Sequence, residues 1–301
     1  MKKVIIYGTL LGYNSVISTC LWNKDKINIV GILAHDHVDG SIDGIPVIQI
    51  QEILSIDFDY CIIGKEYNYI NSYRQLLSLG VKSSQILSQN VMEIPGFNFE
   101  KYSCLRELNL TIISSGCMGG FLYHLFKLPF LSPTINLSFP EESFIKFSSN
   151  LYKYLNSNLL YLEDAYNAGD KHNYPVCRLG KDVIINMVHY KDFKEANKKW
   201  NERKCRVNWK NILYLMTTDD EYILEKFDRT LVGNKICLVP FKSDIASAWY
   251  LPSNLRSEYY ESLDNAHSTV AMSLCEGSLP AYDLWDMLLH CKKTPRMSIL
   301  E

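Results

Sequence analysis

The sequence predicts an α/β protein with two domains, an N-terminal parallel sheet over residues 1–92 and a larger α/β domain over 108–301. Three observations carry this. A chain of 301 residues with 47% apolar and 12% aromatic side chains has the size of about two domains and enough apolar content for a core in each. Short β-branched runs alternate with stretches of helical spacing through the first hundred residues, the pattern of parallel βαβ units. At 110–139, LTIISSGCMGGFLYHLFKLPFLSPTINLSF, an apolar run enters a turn of small residues and then a helix, the junction at which α/β proteins hold ligands.

In the first domain, strands are expected at 3–7, 27–34 and 60–64, with helices near 13–22, 50–56 and 67–79. Residues 91–108, with Pro95, Gly96 and no clear period, read as a linker. In the second domain, strands are expected at 110–114, 134–137, 176–179, 183–188, 212–216 and 235–239. Helices belong near 119–126, 140–155, 193–204, 219–227 and 280–290. There is no internal repeat and no low-complexity segment.

Composition excludes several classes. A formal net charge of −2 lacks the electrostatic footprint of a general nucleic-acid binder, so no nucleic-acid partner is expected. The nine cysteines are odd in number and no two are closer than 13 residues, which rules out a Cys-x-x-Cys pair and predicts reduced, buried thiols in the cytoplasm. The start, Met1-Lys2-Lys3 and an apolar run, resembles a signal peptide, but Gly8 and Gly12 interrupt it and no cleavage site follows. No apolar stretch approaches the about 18 residues that span a bilayer, so a transmembrane segment is not expected. Residues 191–206 hold seven Lys and Arg against three Asp and Glu, a surface that could steer a nucleotide-sugar, touch a membrane peripherally, or simply be solvated.

The turn Gly8-Thr9-Leu10-Leu11-Gly12 sits where a dinucleotide fingerprint would, but Leu10 and Tyr13 break GxGxxG and disfavour NAD by that route. The order KVIIYG, IVGILAHD, IDGIPVI, FDYCIIG and LLSLGVKSSQIL is similar to the small nucleotide-sugar-binding Rossmann domain found ahead of bacterial sugar acyltransferases. That resemblance covers residues 1–90 and implies a Rossmann-like sheet. By that resemblance Asp36 would contact a uracil base, and Gly8 and Gly12 would face the phosphates. A structural domain that pairs chains into a homo-oligomer is the alternative.

From 108 to about 255, SSGCMGGFLYHLFKLPFLSPTINLSF and YPVCRLGKDVIINMVHYKDFKEANKKWNERKCRVNWKNILYLMTTDD resemble the bacterial family known as domain of unknown function 1919, which is associated with exopolysaccharide biosynthesis. The resemblance implies a role in surface glycan assembly and transfers no catalytic residues. The family's turn is more often written Asn-Cys-Trp-Gly-Gly, where this chain has Gly116-Cys117-Met118-Gly119-Gly120.

Several residues could carry chemistry. Ser114, Ser115, Gly119 and Gly120 would offer hydroxyls and backbone amides at a helix N-terminus, suited to a diphosphate or carboxylate. Cys117 lies in the same positive end, as a nucleophile or as a small apolar filler. Asn136 could read a sugar hydroxyl or bond its own loop. Arg178 suits an anion clamp or a structural salt bridge. His189 could act as general base toward a sugar hydroxyl or cap the next helix. Asp219 and Asp220 could hold a divalent metal, manganese or magnesium, against a diphosphate, while Thr218 or Asp219 could instead cap the following helix.

The leading expectation is a transferase that takes an activated sugar at one crevice shared by the 119–120 turn, Arg178, His189 and the two aspartates. A nucleotide-sugar-binding scaffold without catalysis is the alternative. A third reading, a metal-independent hydrolase using Cys117 with His189, requires those side chains to reach hydrogen-bonding distance.

Overall fold

The computed structural model describes residues 1–8, 13, 14, 16, 26–33, 40–65, 67–94, 96–167, 171–251 and 282–294. Two compact units divide the chain, Met1–Phe99 and Glu100–Glu301. Both mix parallel strands with helices, the α/β class the sequence predicts.

The first unit contains β1 (Lys2–Tyr7), β2 (Ile27–Leu33), β3 (Ser41–Ile42), β4 (Ile45–Ile48), β5 (Tyr60–Ile63), α1 (Tyr69–Ser78) and β6 (Ile86–Ser88). Its sheet has the order β3-β4-β2-β1-β5-β6, parallel throughout except for the β3–β4 pair. The chain runs outward from β1 through β2 to β4, then returns to the other side of β1 for β5 and β6. Strand order therefore reverses beside Gly8, whose amide donates to the Leu33 carbonyl at 2.9 Å. Asn68 starts α1 by accepting from the Asn71 amide at 3.1 Å. Gly12, Asp36 and most of the helix expected at 13–22 lie outside the described residues. The helix expected at 50–56 is a 3-10 helix, Ile50–Ser55.

Residues 91–108 are not a bare linker. A 3-10 helix, Gln89–Glu93, leads to α2 (Phe99–Leu108), which buries Tyr102 and Leu105 one turn apart. With Phe99 they make three apolar anchors among charged neighbours, too weak a period to read as a helix.

The second unit runs β7 (Thr111–Ser114), α3 (Met118–Leu125), α4 (Glu141–Ser149), α5 (Leu151–Leu155), β8 (Leu159–Asn167), β9 (His172–Leu179), β10 (Val183–Asn186), α6 (Phe193–Lys204), β11 (Ile212–Thr217), α7 (Glu221–Thr230), β12 (Asn234–Val239), β13 (Ala248–Tyr250) and α8 (Leu284–His290). A parallel sheet has the order β13-β12-β11-β7, and an antiparallel sheet the order β10-β9-β8. Every residue of β7 is buried, as in a strand covered on both faces. One core joins the two sheets: Ile113, Met216 and Val239 from the first meet Cys177, Leu179 and Ile185 from the second, with Phe144, Phe147, Trp200 and Phe227 between them.

Three expectations change here. Residues 134–137 form no strand, because Asn136 takes a positive φ of 60° and the Ile135 carbonyl accepts from the Tyr190 and Arg203 side chains instead of a ladder; the bridge here is made by Ser138, to Asn186. The helix expected at 140–155 breaks at Asn150, with φ −133° and ψ 43°. Strand β8 was not legible, since five consecutive residues after Leu159 are exposed on an edge strand and no inside–outside alternation develops. No helix among the described residues is long and apolar enough to cross a membrane.

Candidate functional site

The site is built on the carboxyl edge of the parallel sheet. Strand β7 ends at Ser114, and β11 beside it ends at Thr217. A cleft of about 530 Å³ opens there, lined by Ser115, Ser138, Phe139, Glu141, Thr217, Thr218, Asp219 and Asp220. Backbone bonds fix its walls: Ser115 donates to Leu215 and accepts from Phe139, both at 2.9 Å, so the segment after the 132–136 loop is laced to the sheet end.

The turn after β7 is held from inside. Ser114 is fully buried; its hydroxyl donates to the Gly116 carbonyl at 2.6 Å and accepts from the Gly119 amide at 3.2 Å. A Cβ on Gly119 would lie 2.7 Å from that oxygen and 3.3 Å from Ile112 Cγ2, so glycine is required where α3 crosses β7. At Gly120 the nearest atom would be 3.9 Å away, and packing does not demand glycine. Ser114 and Gly119, expected to receive an anion, spend their polar groups on each other.

Cys117 stands at the N-cap of α3, a helix of eight residues with no acidic residue in its first turn. The other two helices that start at this edge carry carboxylates there: Glu141 and Glu142 open α4, and Asp220 and Glu221 open α7. The Cys117 Sγ lies 3.3 Å from His189 Nε2, the contact that the hydrolase reading requires. The Cys117 backbone is ordinary right-handed helix, φ −69° and ψ −9°, so the thiol sits on an unstrained turn.

His189 is exposed and hangs from a turn after β10. Met187 donates to Pro175 at 2.9 Å, Tyr190 to Met187 at 3.0 Å, and the His189 amide to the Asn136 carbonyl at 3.4 Å. His172 Nε2 meets the Val188 carbonyl at 2.8 Å. Asn136 itself is exposed and contributes its carbonyl to this turn.

Asp219 and Asp220 both line the cleft. The cap of α7 is Asp220, whose Oδ1 accepts from Tyr222 at 2.8 Å and Ile223 at 3.4 Å, while Thr218 Oγ1 accepts from the Asp220 amide at 3.1 Å. The expected cap at Thr218 or Asp219 thus falls one or two residues further on. Among the described residues no group of three or more His, Cys, Asp and Glu is placed to hold a metal ion, so the aspartates would need oxygens of a bound molecule to complete a cation's shell.

Arg178 does not line the cleft. It alternates with the core residues Cys177 and Leu179 along β9 and so projects from the opposite face, beside Ile184 and Leu160 across the ladder. Its Nε is buried with no hydrogen-bond partner.

Ser138, Phe139, Glu141 and Thr217 are cleft residues that sequence reasoning missed. The available signal was the Pro140-Glu141 pair, a helix start placed directly after the 132–136 loop. Burial sets three thiols apart from Cys117: it pushes Cys177 up to about 12, with the Asp164 charge adding to it, and raises Cys61 and Cys237 as well, whereas Cys104 and Cys205 are exposed, against the expectation of buried thiols.

Comparison with known proteins places the chain. An uncharacterized protein of Haemophilus influenzae is 32% identical over 153 residues, which cover 49% of this chain and 70% of that relative. Residues 1–87 match a family described as C2185-like, N-terminal. Residues 88–281 match the Domain of unknown function (DUF1919), well over half of the sequence, and the chain belongs to that family.

Proposed function

We propose that the protein is a group transferase of surface glycan assembly that uses Cys117 as nucleophile and His189 as its base, with a sugar held in the neighbouring cleft. The observation that carries this is the 3.3 Å contact between the thiol and the imidazole at a helix N-terminus. Ser115 of the cleft is two residues from Cys117, and Ser138 is two residues from the Asn136 carbonyl that holds His189.

The lining chemistry supports a neutral, hydroxyl-rich ligand. Among the described residues, three carboxylates and several hydroxyls line the cleft with no Lys, Arg or His, so sugar hydroxyls find acceptors where a bare phosphate would be repelled. The reaction then balances simply. The thiol proton passes to His189 Nε2 and the thiolate attacks an acyl carbonyl carbon. The donor's leaving group departs with that proton, and a thioester remains on Cys117. A sugar hydroxyl attacks the thioester, its proton goes to His189, and the thiol re-forms from that proton as the sugar ester leaves.

The test is intact-mass spectrometry after reaction with a p-nitrophenyl ester. A burst of p-nitrophenol matched by one acyl adduct is expected in the native chain and not in Cys117→Ala. A burst that survives the substitution would remove Cys117 from the reaction. A second reading, a nucleotide-sugar whose diphosphate is bridged by a divalent cation, is favoured by the pairing of Asp219 with Asp220 at the strand end. Under it, UDP-sugars would raise the melting temperature only with manganese or magnesium present.

A further inference from the structure

We infer that Tyr190 and Arg203 are positioning residues that set His189 against Cys117; the inference rests on the reading of that pair as the reactive centre. Tyr190 follows His189 directly and is 4% exposed. Its hydroxyl donates to the Ile135 carbonyl at 2.8 Å. Arg203, one element away on α6, donates from Nη1 to the same carbonyl at 3.0 Å and to the Tyr190 oxygen at 2.5 Å. Its guanidinium lies 5.9 Å from the centre of the Tyr190 ring.

The next peptide completes the chain of contacts. Asn136, at φ 60°, presents its carbonyl to the His189 amide. One loop carbonyl is therefore clamped by two donors, and the following one carries the backbone of the histidine. Because the His189 side chain is exposed, its place depends on that backbone more than on packing around the ring. Both bonds leave the single nitrogen Nη1, whose two N–H groups reach the carbonyl and the phenol oxygen, and they hold Arg203 inward from an otherwise basic helix. Burial raises the Tyr190 pKa, and the Arg203 charge opposes that rise, so the phenol remains a donor at neutral pH. Among the described residues, Glu195 and Cys117 are the other titratable groups that act on it.

The test reads the thiol without a substrate. The full chain is alkylated with iodoacetamide from pH 6 to 9, and Cys117 modification is followed by peptide mass spectrometry against exposed Cys104 as internal standard. Tyr190→Phe and Arg203→Met should each slow Cys117 at pH 7 by about tenfold relative to Cys104 and move the midpoint of its pH profile up by about one unit. Arg203→Lys, which keeps the charge but ends in a shorter side chain without the planar Nη1 donor pair, should slow it as well. Native rates in Tyr190→Phe and Arg203→Met, with His189→Ala slowed, overturn the positioning role and leave the pair intact. An unchanged rate in His189→Ala overturns the pair itself. Buried Cys177 stays unlabelled in a folded variant; if Arg203→Met labels it, Tyr190→Phe, which keeps the ring, decides the question.

Discussion

Two strand–turn–helix junctions stand side by side at the carboxyl edge of one sheet, and they are finished differently. After β11, the Asp220 side chain turns back to accept from two amides of α7, so the helix end is satisfied within the chain. After β7, the Cys117 side chain makes no such bond and meets His189 instead, while Ser114 secures the turn from below. The same strand–turn–helix order serves stability where the cap residue is extended, as Asp220 is at φ −110° and ψ 119°, and leaves a thiol beside an imidazole where the cap residue is helical, as Cys117 is. A helix N-terminus is thus read correctly only with the side chain that occupies its cap.

The sharpest break of this comparison is thiol reactivity. With its pKa at about 12, Cys177 holds only about one thiolate in ten thousand at pH 8. Native-state alkylation at that pH should leave Cys61, Cys177 and Cys237 unlabelled over a time that saturates Cys117, a rate ratio of about a thousand or more. If Cys117 labels more slowly than exposed Cys104, the junction shields the thiol and the contrast with the Asp220 end loses its chemical meaning.

A second break lies within the turn. Gly119→Ala drives a Cβ against a Ser114 oxygen that cannot move without losing bonds to Gly116 and Gly119, at a cost of about 1–3 kcal/mol. Gly120→Ala meets only ordinary space and should be neutral or stabilising by about 0.5–1 kcal/mol, since alanine replaces glycine within a helix. Urea denaturation of both variants measures the difference. Equal stabilities would show that α3 does not press on β7 as tightly as the 2.7 Å approach requires.

How much of this was legible depends on range. The strand–turn–helix at 110–126 and the acidic junction at 216–220 were visible because both are local patterns of apolar run, small or capping residue, and helical spacing. The amphipathic α7, with Ile223, Leu224 and Phe227 inward, was visible for the same reason. The approach of His189 to Cys117 joins positions 72 residues apart and was open only as a condition to be met. Arg178 misled because a guanidinium beside a strand start looks like an anion clamp, whereas the pleat of β9 sends it away from the cleft. Arg203 was hidden in a run of exposed basic residues, and nothing local distinguishes the one that folds back onto a loop carbonyl. Strand β8 failed because an edge strand with exposed Leu160, Tyr161 and Leu162 carries no alternation to find.

The smallest effects test the two caps directly. Asp220→Ala should remove about 1 kcal/mol, because the Tyr222 and Ile223 amides lose their acceptor and α7 packs Leu224 and Phe227 into the shared core. Cys117→Ser, although serine is a favoured cap residue, should change stability by less than about 0.5 kcal/mol, because a capping side chain works from an extended backbone and residue 117 is helical at φ −69°. Urea midpoints at equal m-values measure both. A clear gain of stability in Cys117→Ser would mean that the α3 terminus can relax to accept a cap, and that the native cysteine forgoes a bond the helix was ready to make.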